Sequence, residues 1–107
     1  MRVAKPFRIA SQISRLYEDA VARFYGMCVL FDDYVVWERN RAKLSFLVFD
    51  LYRQVFLLEQ KIDNFLKYYS KLSRGLSRDM RAMQVSLLNI RKKLEKLIGV
   101  GSVTKTD

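Results

Sequence analysis

The stretch from Leu44 to Leu72 sets the first expectation. Leu44, Val48, Leu51, Val55, Leu58, Ile62, Phe65, Tyr69 and Leu72 follow one another at steps of 4,3,4,3,4,3,4,3. That is an unbroken heptad seam, the pattern of a helix packed lengthwise against another helix. At 1.5 Å per residue such a helix is about 43 Å long. Its second half has a polar back of Glu59, Gln60, Lys61, Asp63, Asn64 and Lys67. Its first half does not: Phe46, Leu47, Phe49, Tyr52, Phe56 and Leu57 cover most of the circumference the seam leaves free. Only Ser45, Asp50, Arg53 and Gln54 interrupt them. A helix apolar on every side needs cover on every side. Two intrachain neighbours, or a second copy of the chain, are expected to supply it.

Two further seams flank this one. Ala10, Ile13, Tyr17, Ala20, Phe24, Met27, Phe31 and Tyr34 are spaced 3,4,3,4,3,4,3, with Leu16, Val21, Tyr25, Cys28 and Val35 as a second apolar set. The first helix is expected over about 7–38, with Pro6 tolerated in its first turn and an end near "WERNR". Asn40 suits either a left-handed cap or an N-cap. A connection this short makes helices one and two antiparallel neighbours. Trp37 reads as a cap over the core, or as an anchor for a partner. The third seam, Leu76, Met80, Met83, Leu87, Ile90, Leu94 and Leu97, steps 4,3,4,3,4,3 up to Gly99, which is expected to stop the helix.

The junction "KLSRGLSRDM" admits two architectures. Gly75 can close helix two, with Ser77 capping helix three and Asp79 near its positive end. The seam also steps 72, 76, 80, 83, a four-residue stutter that one helix running from about 41 to 98 can absorb. The flanking glycine and serine favour the turn. The expectation is an all-α protein: a three-helix antiparallel bundle with coiled-coil-like heptad seams, helices at about 7–38, 41–73 and 77–98, and self-association. The alternative is a long helical hairpin pairing with a second chain. Residues 1–98 form one domain in this reading, and 99–107 a mobile tail.

Composition supports the class. The chain has 107 residues, half of them apolar, with one proline and four glycines. One domain with a sufficient core fits that length. Long helices suit so few breakers. No apolar run reaches the eighteen or so residues of a membrane span, and "GMCVLFDDYVVW" is interrupted by Asp32 and Asp33. The first 17 residues carry four basic residues, two serines and no acid, the composition of an organellar transit peptide. Their apolar repeat continues to Tyr34, which favours the start of helix one, and an intracellular, cytoplasmic protein is expected. Surface binding of a membrane by this basic amphipathic start is a weaker reading for the same reason.

Little in the inventory points to catalysis. There is no histidine, and Cys28 is the only cysteine, so neither a metal cluster nor an intrachain disulfide is expected. Cys28 lies in an apolar segment and reads as an inert core thiol. The adjacent acids Glu18–Asp19 and Asp32–Asp33 point about 100° apart on a helix and make no dyad. No phosphate-binding glycine loop occurs. A non-enzymatic protein without cofactor is expected.

Charge is more informative. Twenty Lys and Arg face eleven Asp and Glu, a formal +9. Residues 1–63 carry ten basic and eight acidic side chains (+2), and residues 64–107 carry ten and three (+7). Lys67, Lys71, Arg74, Arg78 and Arg81 step 4,3,4,3: one stripe if the helix is continuous, one positive end if the chain turns. Arg91, Lys92, Lys93 and Lys96 add charge on the expected solvent side of helix three. Tyr68, between two lysines in "KYYSK", is placed to stack on a base, whereas Tyr69 holds a seam position. These nine basic residues form a candidate nucleic-acid surface. The plain alternative is a solvated helix face. Phe46, Phe49 and Phe56 form a candidate oligomer interface, the alternative being packing against helices one and three. The expected partners are a second copy, in a dimer or larger assembly, and nucleic acid or an acidic protein surface. The expected role is that of an accessory or regulatory factor, or of a protein–protein adaptor or structural subunit using the aromatic face.

Overall fold

The computed structural model describes residues 5–32 and 38–102. Three helices make up the fold: α1, Lys5–Asp32; α2, Arg41–Tyr69; and α3, Arg74–Ser102. The described residues hold no strand. The readings of Tyr34, Val35 and Trp37, and of the chain beyond 102, lie outside the described residues.

The seams become the core. Leu44, Val48, Leu51, Val55, Leu58, Ile62 and Phe65 of α2 are all buried. All but Leu44 form one cluster with Ala10, Ile13, Ala20, Phe24 and Met27 from α1 and Met80, Leu87, Ile90 and Leu94 from α3. Cys28 is half-buried and packs against this cluster. α2 carries most of the contacts, and α1 and α3 meet each other over fewer residues.

Polar pairs fix the directions. Between α2 and α3, Asp63 accepts from Gln84, Glu59 from Arg91, and Glu95 from the Tyr52 hydroxyl. As the α2 number falls the α3 number rises, so these helices are antiparallel. Arg23 and Asp19 of α1 bond Gln54 of α2, and Arg23 also lies 3.9 Å from Asp50. The same reversal makes α1 and α2 antiparallel. The Tyr17 hydroxyl donates to Ser86 Oγ at 2.8 Å, and Lys93 Nζ stands 5.8 Å from the centre of the Phe24 ring. α1 and α3 therefore run parallel, as up-down-up order requires.

The turn between α2 and α3 excludes one helix running through both, but it is not built around Gly75. α2 ends at Tyr69, with Ser70 N–H still bonded to the Leu66 carbonyl and Leu72 N–H to that of Tyr69. Ser73 Oγ then accepts the Leu76 N–H at 3.2 Å, the bond an N-cap makes to the third helical residue. The Ser73 hydroxyl thus starts α3 one turn earlier than a cap at Ser77 would. Gly75 lies inside the first turn of α3, and Asp79 falls beyond it. Ser77 is buried, and its hydroxyl donates to the Ser70 carbonyl at 2.9 Å, tying α3 back to the end of α2. Leu72, the last residue of the expected α2 seam, is 65% exposed because the chain has already left the helix.

α1 is described from Lys5, with Pro6 as its second described residue. One other boundary differs from expectation. α3 runs through Gly99 to Ser102. Glycine inside a helix costs only about 1 kcal/mol relative to alanine, so it weakens the last turn without ending it. Asn40 stands at the N-cap of α2 with φ −116°, outside the left-handed region, and its carbonyl accepts the Leu44 N–H.

Candidate nucleic-acid interface

The face of α3 opposite its seam carries basic residues toward both ends. Burying Met80, Leu87 and Leu94 turns Arg74, Arg78, Arg81, Lys92 and Lys96 outward, because residues three, four and seven apart share a face. Lys71, in the turn just before α3, is exposed at the same end of the bundle as Arg74. From Arg74 to Lys96 the basic row spans about 33 Å. Exposed Val85 and Asn89 divide it into a dense end, at the α2–α3 turn, and a sparser one. None of these six cations makes a salt bridge among the described residues, whereas all four salt bridges that are formed involve Arg23 or Arg91. Ser70, Arg74, Gly75, Ser77, Arg78 and Arg81 line a shallow depression at the dense end.

Three of the nine expected residues stand apart from these six cations. Arg91 faces α2: its Nε donates to Glu59 Oε1 at 2.7 Å, and Nη1 lies 3.3 Å from Glu95 Oε2. These contacts hold the guanidinium at the α2–α3 seam, and its hydrogen bond to Glu59 raises the Arg91 pKa above its ordinary value. Placing Arg91 on the solvent side is therefore corrected. Lys93 leans toward α1 over Phe24. Lys67 ends α2, its Nζ 5.6 Å from the Tyr68 ring centre, so it joins the basic end without continuing the α3 row. Tyr68 is 69% exposed, open for stacking, while Tyr69 is half-buried against Phe65 with ring centres 5.3 Å apart.

A second surface lies on α2. Phe46, Phe49 and Phe56 are 72%, 55% and 45% exposed, so α1 and α3 do not cover them. Leu57, on the same side, is also exposed. Sequence reading placed the three phenylalanines correctly opposite the seam but gave no weight to Asp50 and Arg53 between them.

Among the described residues, no group of three or more His, Cys, Asp or Glu side chains gathers as a metal site, and no helix is long and apolar enough to cross a membrane. Compared with protein-family models, with curated proteins and with solved structures, the chain matches none.

Proposed function

We propose that the chain is a non-enzymatic, self-associating helical module that binds nucleic acid through its basic C-terminal half, as an accessory or regulatory factor. One observation carries the reading: five exposed cations, Arg74, Arg78, Arg81, Lys92 and Lys96, share the outer face of α3, with exposed Lys71 in the turn before it, and none of the six has a carboxylate partner among the described residues. Phosphates neutralised by such a row release condensed counterions, which favours binding without reading sequence. Six contacts imply a log–log salt slope near −5, at about 0.9 per phosphate on a duplex. Exposed Tyr68 beside Lys67 adds a stacking platform for unpaired bases.

Charge reversal tests the surface. The variant K71E/R74E/R78E/R81E is expected to lose at least tenfold in affinity for a short duplex at low salt, with its helical circular dichroism retained. Unchanged affinity removes this surface from the account. If the variant instead loses an acidic protein partner and the wild type ignores nucleic acid, the polyanion is a protein.

The exposed Phe46, Phe49 and Phe56 favour a second reading, an adaptor or structural subunit that docks another helix on α2. An alanine triple variant that leaves nucleic-acid binding intact but abolishes a protein complex would favour it over the first.

A further inference from the structure

The outer face of α2 has an order that reads alike from both ends. Successive residues turn by about 100°, so Phe46, Phe49, Arg53, Phe56 and Leu57 share the side turned away from buried Leu51, Val55 and Ile62. Asp50 borders that side next to α1, whose Arg23 lies 3.9 Å away. Arg53 makes no salt bridge among the described residues. Along the helix the order is apolar, acid, base, apolar. Reversed, it places base on acid and apolar on apolar.

We propose that α2 pairs antiparallel with α2 of a second copy about a two-fold axis passing between Leu51 and Tyr52. Asp50 of each copy then meets Arg53 of the other, and Phe46 meets the other copy's Leu57. A symmetric pair needs such a self-complementary patch. The charges select this register, because a shift by one turn brings like charges together or leaves both pairs unmade. The apolar area is modest. At about 200 Å² for a whole ring, the three phenylalanines leave roughly 340 Å² in water per copy, or about 700 Å² for the pair before Leu57 and the rim are counted. Stable interfaces start near 1,200 Å², so the dimer is a concentration-dependent one.

The symmetry has a consequence for the basic surface. The axis lies in the plane of contact and crosses the helices at a right angle. Rotation about it exchanges the copies but keeps both α3 helices on one side of the pair and both α1 helices on the other. With neighbouring helix axes 8–10 Å apart, the two α3 helices lie roughly 25 Å from each other. Their basic rows run antiparallel and face the same half-space, doubling the cationic footprint. This pairing deepens the self-associating part of the proposed function and rests on that part alone, since it does not require nucleic acid.

Sedimentation velocity over a concentration series tests the pairing. Wild type is expected to shift from monomer to dimer. D50R and R53D, each alone, set like charges against each other and are expected to raise the dimer dissociation constant at least tenfold. An equimolar mixture of the two is expected to restore dimer, because both cross-pairs then join Asp to Arg; the double variant D50R/R53D restores it within one chain. Circular dichroism checks the fold, since Asp50 also lies near Arg23. If D50R does not fold, F46S/F56S replaces it, with loss of dimer expected. A wild type that stays monomeric at several hundred micromolar overturns the pairing, as does one that binds only a helix of another protein. A dimer indifferent to both charge reversals, or a mixture that fails to recover, also overturns it. Failure here is distinguishable from failure of the nucleic-acid reading: a monomeric R53D that still binds duplex leaves the α3 surface standing, and a dimer that binds no nucleic acid leaves the pairing standing.

Discussion

Arg91 donates from Nε to Glu59 Oε1 at 2.7 Å, joining the middle of α3 to α2 across a partly buried seam. One side chain in a row of basic residues is thereby turned from a surface charge into a structural link. Removing it leaves Glu59, itself only 17% exposed, without its partner. R91A is expected to cost about 1–2 kcal/mol in urea unfolding, within the range for stranding a charged hydrogen-bond partner. The Arg91 pKa is raised on folding, so its contribution is present below the ordinary arginine range and is lost only as pH climbs through and above it. The guanidinium therefore stays charged at both pH 6 and pH 9, and its own titration gives the R91A cost no pH dependence across that interval. Affinity for nucleic acid is expected to fall less in R91A than in R78A.

The turn makes a prediction about Gly75. A glycine that closed α2 in the left-handed region would resist substitution. Gly75 instead sits in the first turn of α3, where an added Cβ meets Ser73 Oγ at 3.8 Å, an ordinary contact. G75A is expected to raise stability by about 0.5–1 kcal/mol through a less flexible unfolded chain. Thermal melting of G75A below wild type would contradict this placement.

Ser73 and Ser77 have separate roles. S73A removes the acceptor of the Leu76 N–H and is expected to cost about 0.5–2 kcal/mol. S77A removes the donor to the Ser70 carbonyl and is expected to cost about 1 kcal/mol. Amide exchange should tell them apart: S73A opens the first turn of α3, whereas S77A also loosens residues 70–72.

Two seam positions should behave unlike each other. Ile62 is fully buried and Leu72 is 65% exposed, although both fit the same heptad. I62A is expected to cost about 2–5 kcal/mol in chemical unfolding, and L72A within about 0.5 kcal/mol of zero. Equal costs would mean that the α2 seam continues through the turn.

These contrasts show where sequence patterning is sufficient. The run from Leu44 to Phe65 was legible because seven positions at heptad spacing leave one way to bury a helix face, and all seven are buried. The position of Phe46, Phe49 and Phe56 opposite that seam was legible too, but the sequence left open whether α1 and α3 cover them, and they are exposed. The turn register was less legible. Gly75 is the conspicuous breaker in "KLSRGLSRDM", yet the Ser73 hydroxyl ends the ambiguity by capping α3, and one hydrogen bond leaves little trace in periodicity. Arg91 was misplaced for a related reason. It flanks the α3 seam, and whether that flank faces water or a neighbour depends on which side α2 packs. Its partner Glu59 is 32 residues away, and only the position of the turn sets the two level.

The most direct test of the nucleic-acid surface is fluorescence anisotropy of short labelled single- and double-stranded oligonucleotides titrated with the wild-type chain across a salt series. A nucleic-acid surface of this kind gives useful affinity near physiological salt and a log–log slope near −5 on duplex, from about six phosphate contacts per chain. Binding no stronger than that of an unrelated protein of matched charge would contradict it, and would make the basic row of α3 a solvated helix face.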